Sequence, residues 1–120
     1  MKILIIEDNE LNLDMLARRL ERKGFTIISA TDGIAGIEKA NEENPELIIM
    51  DLSLPILSGW DAAKKLKENI KTMSIPIIAL TAHAMKGDKE KAINAGCVEY
   101  DTKPVDFERL LEKISKVSGL

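Results

Sequence analysis

Short apolar runs alternate with helical spacing along the whole chain. Runs of strand length stand at Ile3-Leu4-Ile5-Ile6, Phe25-Thr26-Ile27-Ile28, Leu47-Ile48-Ile49-Met50, Pro76-Ile77-Ile78-Ala79-Leu80 and, more weakly, Cys97-Val98-Glu99-Tyr100. Between them, apolar residues recur at helical intervals: Leu13, Leu16, Ala17 and Leu20 ahead of Gly24; Ile34, Ile37 and Ala40 ahead of Asn44-Pro45; Trp60, Ala63 and Leu66 after Gly59. Two further helices are predicted from Asp88 to Ala95, ahead of Gly96, and around Phe107, Leu110, Leu111 and Ile114. This order predicts an α/β fold: a five-stranded parallel sheet with helices on both faces and right-handed crossovers. Strands buried on both faces explain why the first, third and fourth runs are apolar throughout rather than at alternate positions. Five such strands fit the doubly wound order 2-1-3-4-5, with the polar fifth strand at an edge.

Composition narrows the functional classes. A chain of 120 residues, 45% hydrophobic, has room for one domain around one ordinary core, and no linker or internal repeat divides it. Seventeen basic against twenty acidic residues give a formal charge of −3, which argues against nucleic acid or an anionic membrane as partner. Cys97 is the only cysteine, so no internal disulfide forms, and its neighbours lack metal-ligand spacing; it reads as a small buried hydrophobe. Four apolar residues after Met1-Lys2 are too few for a signal peptide, and no run approaches the roughly 18 residues of a membrane span. A cytoplasmic location is expected.

The segment "IIMDLSLP" poses the chemical question, because a run that should be fully buried ends in a charge, Asp51, with Pro55 close behind. In an open parallel sheet, ligands bind outside the carboxyl ends of the strands, where the winding reverses. Those ends carry Glu7-Asp8, Asp51, Thr81-Ala82 and Lys103-Pro104. The order 2-1-3-4-5 makes strands one and three neighbours, so Glu7, Asp8 and Asp51 converge. Three carboxylates in a partly buried crevice repel one another unless a pKa rises or a cation compensates. Oxygen ligands without histidine or thiol suit Mg²⁺ rather than zinc or copper, and leave room for phosphate oxygens. A lysine and a threonine hydroxyl facing the same crevice supply a charge and a donor for phosphoryl oxygens.

Glu7-Asp8 after an apolar strand, "MDLSLPILSGW", "ALTAHA" and "DTKP", in that order and at those strand ends, together resemble the receiver domain of bacterial two-component response regulators. The resemblance spans the whole chain, taken as one receiver domain over 1–120, and it implies a flavodoxin-like fold. It implies that Asp51 is the phosphoacceptor, taking a phosphoryl group from a histidine kinase or a histidine phosphotransfer protein. It also implies that Glu7, Asp8, Asp51 and the backbone carbonyl of Ser53 hold Mg²⁺, and that Lys103 contacts a phosphoryl oxygen through a segment whose Lys103-Pro104 bond is cis. Thr81 and Tyr100 match the family's switch residues, so phosphorylation is expected to repack the face of helix four, strand five and helix five. The protein would then act as a signalling switch or phosphorelay intermediate, catalysing only its own phosphorylation and dephosphorylation. With the chain ending after the last helix and Met1 directly ahead of strand one, the output is expected to be a separate downstream protein.

Other readings fit less well. A receiver-like module regulated by binding alone would lack an acidic residue, Asp51 or Lys103, and none is missing. A flavodoxin-type cofactor binder needs a phosphate-cradling loop where this chain has Glu7-Asp8-Asn9-Glu10, and an aspartate phosphatase needs a cap that does not fit. His83 reads as a solvated loop residue near phosphate access, Trp60 as locally packed, and Met85-Lys86-Gly87-Asp88 as a mobile start to helix four.

Overall fold

The computed structural model describes residues 1–82 and 87–118. Five strands, β1 (Lys2–Ile6), β2 (Thr26–Ala30), β3 (Leu47–Asp51), β4 (Ile77–Thr81) and β5 (Glu99–Thr102), form one parallel sheet in the order β2-β1-β3-β4-β5. Five helices connect and follow them: α1 (Glu10–Arg22), α2 (Gly33–Glu43), α3 (Gly59–Glu68), α4 (Asp88–Asn94) and α5 (Phe107–Ser118). The predicted order and layering are observed, and β3 and β4 are buried at every position.

The two-residue period of the central strands sorts the core into two layers. Leu4, Ile6, Ile48, Met50, Ile77 and Ala79 face one side, where α2, α3 and α4 contribute Ala40, Ala62, Ala63, Leu66 and Ala92. Ile3, Ile5, Leu47, Ile49, Ile78 and Leu80 face the other, against Leu16 and Leu20 of α1 and Leu110 and Ile114 of α5. Polar caps fix where three helices begin. Asn9 accepts from the Asn12 amide, Asp32 from the Ala35 amide and Ser58 from the Asp61 amide.

Most element ends shift by a residue or two from expectation, and two strand starts have a clear cause. The fifth strand begins at Glu99 rather than Cys97, because Gly96 (φ 108°) closes the end of α4 and the Cys97 amide still bonds the Ala92 carbonyl. Cys97 is buried in the α2/α3/α4 layer as expected, and burial pushes its thiol up to about 11. The second strand begins at Thr26, since Phe25 bonds back to Leu20 at the end of α1 and packs in the α1/α5 layer. Trp60 opens α3 as predicted, half-buried, with the Lys91 ammonium 4.7 Å from its ring centroid. His83, Met85 and Lys86 lie outside the described residues.

Candidate functional site

The strand period that buries Ile3 and Ile5 on one face brings Glu7 to the same face, and Leu47 and Ile49 do the same for Asp51. Ile6 pairs with Met50 in the ladder, so Glu7 and Asp51 are the next residues along two adjacent strands. The Glu7 amide still bonds the Ala30 carbonyl at 3.0 Å, which extends the sheet one step past β1. Both carboxylates are buried, Asp51 at 5% exposure, while Asp8 is open to solvent. One oxygen from each of Glu7, Asp8 and Asp51 lies within 4.8 Å of the others.

Lys103, on the turn after β5, reaches across β4 into this cluster. Its ammonium lies 2.5 Å from Glu7 Oε1 and 3.3 Å from Asp51 Oδ2. The turn is held by a bond from the Lys103 amide to the Thr81 carbonyl at 2.7 Å, and the Lys103-Pro104 peptide is cis. Asp51 Oδ1 accepts from the Ser53 amide at 3.0 Å. Ser53 is exposed, and among the described residues its carbonyl accepts no hydrogen bond.

The electrostatics follow from this packing. Burial, reinforced by the Asp51 carboxylate and opposed by Lys103, pushes Glu7 up from 4.5 to about 7. Burial would raise Asp51 too, but the Ser53 amide, Glu7 and Lys103 outweigh it and hold Asp51 below its usual range. Burial likewise works against the Lys103 charge, and the two carboxylates more than restore it. The two neighbouring carboxyls are thus driven in opposite directions, Glu7 upward and Asp51 downward. An all-oxygen donor set of three carboxylates fits a hard divalent cation such as Mg²⁺, whose binding would displace the Glu7 proton.

The remaining predicted residues take different places. Thr81 is buried at the last position of β4, where Asp51 pairs with Leu80 and Thr81 with Thr102, so it borders the crevice one strand from Asp51. Tyr100 lies outside the crevice, packed on the α2/α3/α4 layer. Its hydroxyl is buried with no partner among the described residues, and burial together with Asp88 raises its pKa.

Other features had escaped the sequence. A cleft of about 500 Å³ runs from Glu7 and Lys103 between α1 and the turn after β5, walled by Met15, Leu16, Leu80 and Val105. Alongside it, α5 is fastened to β5 by charge. Arg109 clasps Asp101 through Nε at 2.9 Å and Nη2 at 2.8 Å, and Lys113 lies 3.6 Å from Asp101 and donates to the Tyr100 carbonyl.

An acidic crevice faced by the Lys103 ammonium, at the winding reversal of a 2-1-3-4-5 sheet, is the arrangement that the phospho-accepting signalling proteins of two-component systems carry. The response regulator receiver domain family matches residues 3–115, and the chain belongs to that family. The polar-differentiation response regulator DivK of Brucella ovis is 39% identical over 117 residues, covering 98% of this chain and 95% of that protein. The receiver domain of a sensor histidine kinase from Pseudomonas aeruginosa, solved with a magnesium ion coordinated in its active site cleft, is 32% identical at a TM-score of 0.91, covering 99% of this chain and 98% of that one. The receiver domain of the Saccharomyces cerevisiae response regulator Ssk1, crystallised with the histidine phosphotransfer protein Ypd1, is 34% identical at a TM-score of 0.87, with 97% and 87% covered. No described helix is long and apolar enough to cross a membrane.

Proposed function

We propose that residues 1–120 work as one receiver unit in which Asp51 is the nucleophile that accepts the phosphoryl group. The observation that carries this reading is the setting of its carboxylate: buried, ionised, fixed at one oxygen by the Ser53 amide and facing Lys103 with the other. A phosphohistidine donor would lose its N–P bond as an Asp51 oxygen forms the new O–P bond, and the imidazole keeps the electron pair. Phosphoryl transfer asks little covalent chemistry of the protein, so Lys103 contributes mainly charge and position, pairing with the oxygens of the transferred group. Glu7, Asp8, Asp51 and the Ser53 carbonyl would hold Mg²⁺, which supplies positive charge to the phosphoryl oxygens. The protein modifies only itself, and it does so in the cytoplasm, where donors are charged from ATP.

A histidine kinase or phosphotransfer protein is the donor in this reading, as the Ssk1–Ypd1 complex supports. Leu11 and Met15 of α1 are exposed apolar residues, and Met15 lines the cleft that opens onto Glu7 and Lys103, which gives a donor helix a surface beside the site. On the output side, Thr81 borders the new phosphoryl group and Tyr100 lies one strand further out. Repacking of Tyr100 would change the face of α4, β5 and α5 for a downstream protein, by as much as the phosphoryl group favours one packing over the other.

The test is incubation with phosphoramidate and Mg²⁺, followed by intact mass and Trp60 fluorescence. One phosphoryl group should be added to the parent and none to Asp51→Asn. Full labelling of Asp51→Asn would remove the assignment.

A further inference from the structure

The turn Pro55-Ile56-Leu57 holds a residue that its local structure does not favour. The Leu57 amide donates to the Pro55 carbonyl at 2.7 Å, closing a three-residue turn around Ile56, whose φ is +69°. This is the rarer hand of γ-turn, and a β-branched side chain is among the least suited to it. The other non-glycine residue at positive φ among the described residues is Asn44, a residue type that tolerates the conformation and here ends α2. Ile56 is 77% exposed, so no burial offsets its strain.

Both sides of the turn are fixed relative to Asp51. The Leu52 amide bonds the Leu80 carbonyl and the Gly59 amide bonds the Leu52 carbonyl, each at 3.0 Å. Gly59 lies so close that a Cβ there would stand 2.5 Å from the Asp51 carbonyl, and Gly33 of α2 presses on Leu57 from the other side. Leu57 itself packs on the core. Ile56 is therefore held out on a rigid arm, five residues from Asp51. A strained residue that the surrounding structure enforces, with no packing to justify it, points to function.

We propose that Ile56 is a specificity-determining anchor for the phosphodonor protein, buried by an apolar hollow beside the donor's phosphohistidine when phosphorus is brought to Asp51. The inference rests on the reading of Asp51 as acceptor. Because Asp51 is buried, a protein donor reaches it by seating on the rim, to which, among the described residues, the turns after β1, β3 and β5 contribute, and the turn after β3 carries Ile56. A protein that reads the face of α4, β5 and α5 has no need to cover this turn. Exposed Leu11, at the start of α1, adds a second apolar contact on that rim. Hot spots cluster near the centre of an interface, in well-packed and desolvated pockets.

Ile56→Asn tests it, with Ile56→Leu as the conservative partner. Asn relieves the turn, so the melting temperature should rise by about 4 °C. Labelling by phosphoramidate should stay within about twofold of the parent, since a small donor does not touch the rim. Transfer from the fastest protein donor, found by profiling the source cell's ATP-charged histidine kinases and phosphotransfer proteins, should fall about tenfold or more in kcat/KM, through KM, and Ile56→Leu should recover most of it. Protein-donor transfer at the parental rate in Ile56→Asn overturns the inference, as does a fall in melting temperature. Failure of phosphoramidate to label the parent at Asp51 instead overturns the acceptor assignment.

Discussion

Replacing Glu7 by glutamine should flatten a pH dependence of stability that runs opposite to the usual carboxylate. In the folded protein, burial and the neighbouring Asp51 carboxylate lift Glu7 from 4.5 to about 7 against the pull of Lys103. The folded state therefore binds a proton that the unfolded chain has lost, so stability is fully present below pH 4.5 and declines as pH rises through about 7. Asp51 and Asp101 carry the opposite sign, but both are held below 3.8 and titrate outside this window. A displacement of the size seen at Glu7 corresponds to roughly 3 kcal/mol if fully realised. The crevice opens to water on the Asp8 side, and screening there leaves an expected loss of about 2 kcal/mol, or about 8 °C in melting temperature. Thermal melts between pH 5 and 8 in the presence of a chelator measure it. The parent should lose stability across that range and Glu7→Gln should not. Excess Mg²⁺ should restore the parent at pH 8 and do little at pH 5, because ion and proton compete for the same carboxylate. An identical slope in parent and Glu7→Gln would refute the account.

Two further substitutions probe the supports of the site. Gly59→Ala places a Cβ 2.5 Å from the Asp51 carbonyl and 2.6 Å from Leu52 Cα, both backbone atoms. It should lower stability by about 3 kcal/mol in urea unfolding and slow phosphoramidate labelling of Asp51. Arg109→Ala removes the clasp on Asp101, whose carboxyl burial would raise but Arg109, the Thr102 amide and Lys113 hold below its usual value. A depressed carboxylate contributes stability above its unfolded pKa and loses it as pH falls through the folded one. Melts between pH 2.5 and 7 should accordingly show Arg109→Ala furthest below the parent at pH 7, with the gap closing as pH falls and Asp101 takes up its proton in both.

The chemistry of the crevice was legible because it follows from counting along strands. Glu7 and Asp51 each stand two residues past an inward-facing isoleucine, so the period that buries Ile5 and Ile49 also aims the carboxylates, and strand order then brings them together. Lys103 was legible as a residue at a strand end. Its close pairing with Glu7, and the upward shift that burial imposes on Glu7, depend on burial depth that no spacing reveals. The start of β5 was misplaced because Cys97 and Val98 look like strand, whereas a glycine at positive φ keeps Cys97 bonded to the preceding helix. Ile56 gave no signal at all: in "LPILSG" an isoleucine flanked by Pro55 and Leu57 suggests burial, and only the backbone shows it turned outward at positive φ. The Asp101–Arg109 clasp joins residues on either side of a turn, and hydrophobic periodicity says nothing of such pairs.

Since the sheet separates the buried side chains into two packings that meet only through its backbone, the molecule is partitioned as well as layered. Substitutions on opposite sides have few shared neighbours and should combine additively, whereas pairs within one side should not. Such a division lets the α1/α5 layer accumulate substitutions while α2, α3 and α4 keep their fit, so one half of the interior can be rebuilt without disturbing the other.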